Sequence, residues 1–82
     1  MGKATPNGNQ SVPALEKGLA ALECVHSSAS ALSLTEISRA CGRSVSEMQR
    51  VVPFLAEQGF FVRNERGLYR ASSKLFRLAH RH

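Results

Sequence analysis

Arg43, Ser44, Ser46, Glu47, Gln49 and Arg50 fall within one short stretch of the chain. Ser46, Glu47 and Arg50 stand three, four and seven residues after Arg43, the spacing that lines one stripe of an α-helix. A guanidinium such as that of Arg50 offers two parallel N–H bonds to the edge of a guanine, and the hydroxyl of Ser44 or Ser46 can bond a phosphate oxygen. The same stripe would serve equally well as a solvated polar face. Its meaning depends on the elements that hold it.

The other side of this segment is apolar. Val45, Met48, Val52 and Leu55, with Val51 beside them, form a broad stripe that turns the polar residues outward. Ser44-Val45-Ser46-Glu47 reads as a capping box, and the helical pattern runs over about 44–58 before Gly59. A short helix precedes it. Ser33-Leu34-Thr35-Glu36 is another capping box, Leu34, Ile37 and Cys41 are spaced by three and four, and Gly42 can turn left-handed after the helix end. Only two or three residues then separate the two helices, as in a helix-turn-helix. A first helix opens near Ser11–Pro13, with proline in its first turn and Leu15, Leu19, Leu22, Val25 and His26 on one face. Ser27–Ser30 ends it in a small-residue loop.

Beyond Gly59, Phe60–Arg63 and Leu68–Ala71 flank Asn64-Glu65-Arg66-Gly67, a β-hairpin signal. A last helical stretch starts at Ser72 or Ser73 and carries Leu75, Leu78 and Ala79 on one side. Residues 1–10, rich in Gly, Asn and Pro, read as a disordered arm. The expected fold is mainly α with a small β-hairpin: a winged helix-turn-helix over residues 11–71, with a three-helix core, a two-stranded wing at about 60–71 and a trailing helix over 72–82.

Charge and size narrow the function. The chain has 82 residues and a net charge of +5. Residues 1–41 balance to zero, so all of the excess lies in residues 42–82. Clustered arginine is the footprint of a phosphate-binding surface, although a solvated face accounts for charge alone. A single domain this small leaves little room for a deep catalytic cleft. No apolar run approaches the roughly 20 residues of a membrane span. Cys24 and Cys41 lack metal-ligand spacing with one another or with the histidines. Both sit at apolar helical positions and read as buried, reduced thiols. No Ser/His/Asp set, metal cluster or phosphate loop points to an enzyme, and no cofactor is implied.

Several strings recur together: Leu15-Glu16-Lys17-Gly18-Leu19 with Leu22-Glu23, Leu32-Ser33-Leu34-Thr35-Glu36-Ile37, and Cys41-Gly42. Ser46, Arg50, Leu55, Glu57 and Gly59-Phe60 follow, then Gly67-Leu68-Tyr69-Arg70 and Leu75-Phe76-Arg77-Leu78. In this combination residues 11–79 resemble the N-terminal DNA-binding domain of the IclR family of bacterial transcription regulators. The resemblance implies binding of double-stranded promoter DNA in the cytoplasm, at the nucleoid, by homodimers of a longer protein. In such a protein the trailing helix would link to an effector-sensing C-terminal domain that this chain lacks.

Two positions depart from the family. Thr is usual immediately after the Ser at position 46, where this chain has Glu47. Its carboxylate would repel phosphates, could accept from a cytosine, or could complete the cap with Ser44; the cap is favoured. Pro53 removes a bond to the carbonyl of Gln49, and a kinked rather than broken helix is expected. The candidate DNA contacts are Thr35 at the start of the second helix, Arg43, Ser44, Ser46, Glu47, Gln49 and Arg50 on the third, and Arg66 and Arg70 on the wing. Arg66, nearest the tip, suits phosphate or minor groove best, and Tyr69 is expected to pack against the third helix. The rival reading is a winged-helix module for protein–protein contact, favoured by Glu47 and Pro53. Steep salt dependence would separate the two.

Overall fold

Pro13 opens α1 (Pro13–Ser27), which is followed by α2 (Leu34–Ala40), α3 (Val45–Met48) and α4 (Val51–Glu57). An antiparallel hairpin of β1 (Phe61–Arg63) and β2 (Tyr69–Ala71) comes next, then α5 (Lys74–Ala79). This is a computed structural model describing residues 11–81, and the arm expected at residues 1–10 lies outside them. The architecture is the mainly helical winged helix-turn-helix that the sequence predicts.

Local chemistry sets the element ends. Both capping boxes form reciprocally: Ser33 Oγ accepts from Glu36 N–H at 3.0 Å, and Ser33 N–H donates to Glu36 Oε1 at 2.8 Å. After α2, the N–H of Gly42 bonds Arg39 O at 3.0 Å and that of Arg43 bonds Ser38 O at 2.9 Å. This paired closure needs a left-handed residue, supplied by Gly42 at φ +68°. Four residues, Cys41–Ser44, join α2 to α3.

The third helix differs from expectation. It is two helices, separated by Gln49 and Arg50, rather than one helix kinked at Pro53. Pro53 is the third residue of α4, in the first turn, where a backbone N–H has no intrahelical partner to lose. The ladder stops where the missing donor would have reached Gln49. Gln49 (φ −67°, ψ −17°) and Arg50 (φ −98°, ψ −29°) stay in the right-handed region, so the chain keeps its helical sense across the gap.

Ala21 and Val25 of α1, Ile37 of α2, Met48 of α3, Val52 and Leu55 of α4, and Phe61 and Tyr69 of the hairpin form the core. The expected inner face of α1 is only partly correct. Val25 is buried and Leu22 partly so, but Leu15 and Leu19 are 57% and 51% exposed, and His26 is exposed. α1 packs on α4, β2 and α2 and buries Ala21 and Val25, whereas Leu15 and Leu19 border an open groove of about 500 Å³ against Phe54 of α4. Val45, expected inside, is also exposed, because α3 is a single turn and Met48 alone fills its contact with the core.

The sequence pattern does not reveal that Leu32 forms an antiparallel bridge with Tyr69, through N–H···O bonds of 2.8 and 2.7 Å. This bridge stitches the loop before α2 to the wing. At the other end, Lys74 Nζ donates to Gln58 O at the end of α4 and lies 4.8 Å from the centre of the Phe60 ring. The remaining residues of α5, Leu75, Phe76 and Leu78 included, are exposed. The cysteines are not buried as expected: both are only partly so.

Candidate nucleic-acid interface

Ser44 caps α3 in the same way that Ser33 caps α2. Its Oγ accepts from Glu47 N–H at 3.1 Å, and its own N–H donates to Glu47 Oε1 at 2.9 Å. The Ser44 hydroxyl also donates to that oxygen at 3.2 Å, and Arg43 reaches Oε2 at 3.5 Å. These partners, led by the Ser44 backbone N–H, hold the Glu47 carboxyl below its ordinary value, with Lys17 and Arg43 adding smaller positive fields. Ser44 and Glu47 are thus both engaged in the cap, the role favoured from sequence for Glu47.

Ser46, Gln49 and Arg50 remain, all exposed and without a side-chain hydrogen bond to another described residue. They flank Met48, which is fully buried. One turn of helix is therefore pinned by its apolar side chain and its cap while its polar side faces water. The break places Gln49 and Arg50 just beyond this turn. Arg50 also borders the groove lined by Leu15, Leu19 and Phe54. Thr35, in the first turn of α2, is exposed.

The hairpin resolves which wing arginines are available. Its register pairs Val62 with Arg70 and Arg63 with Tyr69. Arg63 thus shares a face with buried Tyr69 and lies 5.5 Å from the centre of its ring. Arg70 and Val62 take the solvent face. Tyr69 is buried edge-on to Phe61 at 6.3 Å; toward the third helix, where it was expected to pack, it borders a hollow shared with Pro53 and Ala56 of α4. At the tip, Asn64 Oδ1 accepts from the N–H groups of Arg66 and Leu68 at 2.9 and 3.0 Å. Gly67, at φ +79°, completes the turn and leaves Arg66 exposed at the apex.

Among the described residues no group of three or more His, Cys, Asp or Glu could hold a metal ion. None of their helices is long and apolar enough to cross a membrane.

Comparison with known proteins agrees with this geometry. No curated protein matches the chain. Among solved structures, an IclR family transcriptional regulator from Brucella abortus superposes with a TM-score of 0.79 at 25% identity, over 98% of this chain and 31% of that one. This chain therefore spans about a third of that regulator's length. The O-methyltransferase NcsB1 from neocarzinostatin biosynthesis matches with a TM-score of 0.58 at 21% identity, over 100% of this chain and 26% of that one, a likeness of fold alone. The model of the IclR helix-turn-helix domain matches residues 14–65, from α1 to the turn of the wing. The chain belongs to the IclR helix-turn-helix family and is a DNA-binding domain of the transcription-regulator type.

Proposed function

We propose that this domain binds promoter DNA sequence-specifically, with α3 and the Gln49–Arg50 step in the major groove and the wing on the backbone. The observation that carries the reading is the pinned turn. Met48 and the Ser44–Glu47 cap hold α3 rigidly while Ser46, Gln49 and Arg50 stand free toward solvent. On this reading Gln49 and Arg50 meet base edges, Thr35, Arg43 and Ser46 meet phosphates, and Arg66 and Arg70 meet the backbone beside the groove. Ser44 and Glu47 act by holding the turn.

The proposal extends to assembly. The domain would act in a homodimer within a longer regulator of the bacterial cytoplasm. A small-molecule effector would be read by a further domain, and α5 would lead toward it. The exposed Leu75 and Leu78 suit a helix that pairs or docks in such an assembly.

A salt titration on genomic promoter fragments tests the reading. If Arg43, Arg66 and Arg70 each neutralise a phosphate, the log–log slope is about −2.7, a loss of roughly 40-fold between 50 and 200 mM salt. Arg50→Ala should weaken binding and relax the preference for the base it meets. An inert Arg50 with flat salt dependence would favour a protein-contact module instead, and the open groove of Leu15, Leu19 and Phe54 supports that second reading.

A further inference from the structure

Leu15, Leu19 and Phe54 are each more than half exposed, yet they stand together along the open groove of about 500 Å³ between α1 and α4. Contiguous apolar side chains left in water mark a surface that binds something. Among the described residues, Arg50 is the one charged group in the lining. It is exposed and makes no side-chain hydrogen bond or ion pair with another described residue. Gly18 also lines the groove. It lies inside α1, where glycine weakens a helix relative to alanine. It is not among the glycines held at positive φ, and a Cβ there would meet nothing within 4 Å. Neither the backbone nor internal packing calls for glycine at this position. What its missing side chain does is leave the groove open.

We propose that this groove binds amphipathic carboxylates, small molecules with one carboxylate head and an apolar body. The head sits on Arg50, and the body lies against Leu15, Leu19 and Phe54, over the backbone at Gly18. A planar guanidinium takes a carboxylate through two parallel N–H bonds, and one cation balances one negative charge. An apolar recess of this size with a single polar group to fix orientation has the form of a small-molecule site. A second copy of the chain fits less well. A twofold pairing of groove on groove would bring both copies of Arg50 to one interface, and among the described residues no acidic side chain lines the groove to meet them. Arg50 is also the residue assigned above to a base edge, so on that reading a bound carboxylate competes with DNA. Binding of the carboxylate does not itself depend on that reading.

The test titrates decanoate, below its micelle concentration, into the full chain and follows backbone amide resonances. Decyltrimethylammonium carries the same apolar body with the opposite charge. Decanoate should give saturable shifts at Gly18, Leu19, Val51 and Phe54, and octanoate should bind about threefold or more weakly. Arg50→Leu should weaken decanoate at least about threefold without weakening the ammonium. Gly18→Leu should abolish the saturable shifts yet melt no lower than wild type, so its loss of binding is not a loss of fold. Phe76→Ala, exposed on α5 outside the groove, should bind decanoate as wild type does. Fluorescence anisotropy on a promoter fragment in the same titration reads the DNA consequence. Saturable binding with unchanged DNA affinity would support the site and refute Arg50 as a base contact. Equal binding of the ammonium, full affinity in Arg50→Leu or Gly18→Leu, or shifts that lie away from the groove would overturn the proposal. So would self-association of the chain that Gly18→Leu abolishes, which would give the groove to a second copy.

Discussion

Replacing Ser44 by alanine removes the Oγ that accepts from Glu47 N–H at 3.1 Å and breaks the reciprocal box. Loss of such a cap costs about 1 kcal/mol, within a range of 0.5–2. The structure supplies an internal control, because Ser33→Ala removes a cap of the same chemistry and similar length from α2. Both variants should therefore lose a similar amount of global stability, about 4–8 °C in Tm for a domain this small. They should differ in DNA affinity. α2 has seven residues and buries Ile37 and Ser38, so its fold survives a frayed first turn. α3 has four residues and buries only Met48, so the cap is a large part of what orders it. Up to the full 1 kcal/mol should then appear as lost binding, about fivefold in Kd. Thermal melts and fluorescence anisotropy on one promoter fragment, run side by side on both variants and on Ser44→Thr, read the two quantities separately. Threonine keeps the acceptor and should restore most of the loss. Equal loss of affinity in Ser33→Ala and Ser44→Ala would refute the assignment of α3 as the reading element. A Ser44→Ala variant that melts like wild type would refute the cap itself.

Pro53→Ala returns a donor aimed at the Gln49 carbonyl, so amide protection should appear at position 53 and α3 should join α4. Because Pro53 already occupies a first turn, stability should change by less than about 1 kcal/mol; a gain near 3 would mean that it behaves as an interior proline. Glu47 is held below its ordinary value of 4.5, so its contribution is present above that pH and drains as pH falls through the lowered value. Wild type should therefore lose more Tm than Glu47→Gln on acidification from about pH 5 to 3, and parallel curves would contradict the cap geometry.

Much of the fold follows from local rules. Both capping boxes, the Gly42 turn, Gly59 at the end of α4 and the Asn64–Gly67 tip are short-range bonds between residues a few positions apart, so a single sequence suffices to place them. The polar stripe from Arg43 to Arg50 was visible for the same reason. The break at Gln49–Arg50 was not, because Pro53 specifies only that a bond to Gln49 is lost. Whether the chain then kinks or divides into two helices depends on how Met48 and Val52 seat in the core.

By itself the sequence determined where α1 and α2 start and stop, where α3 starts and α4 ends, which residues carry the charge, and which polar groups can occupy a helix end. Those choices are made by neighbours along the chain. Tertiary structure alone decided which face of α1 is buried, leaving Leu15 and Leu19 exposed, because that depends on where α4, β2 and α2 lie across it. It also divided the wing arginines, laying Arg63 over Tyr69 and leaving Arg70 to solvent, and it set Cys24 and Cys41 in the lining of one surface hollow. These are contacts between residues distant in the chain, and no spacing along a sequence encodes them until the elements pack.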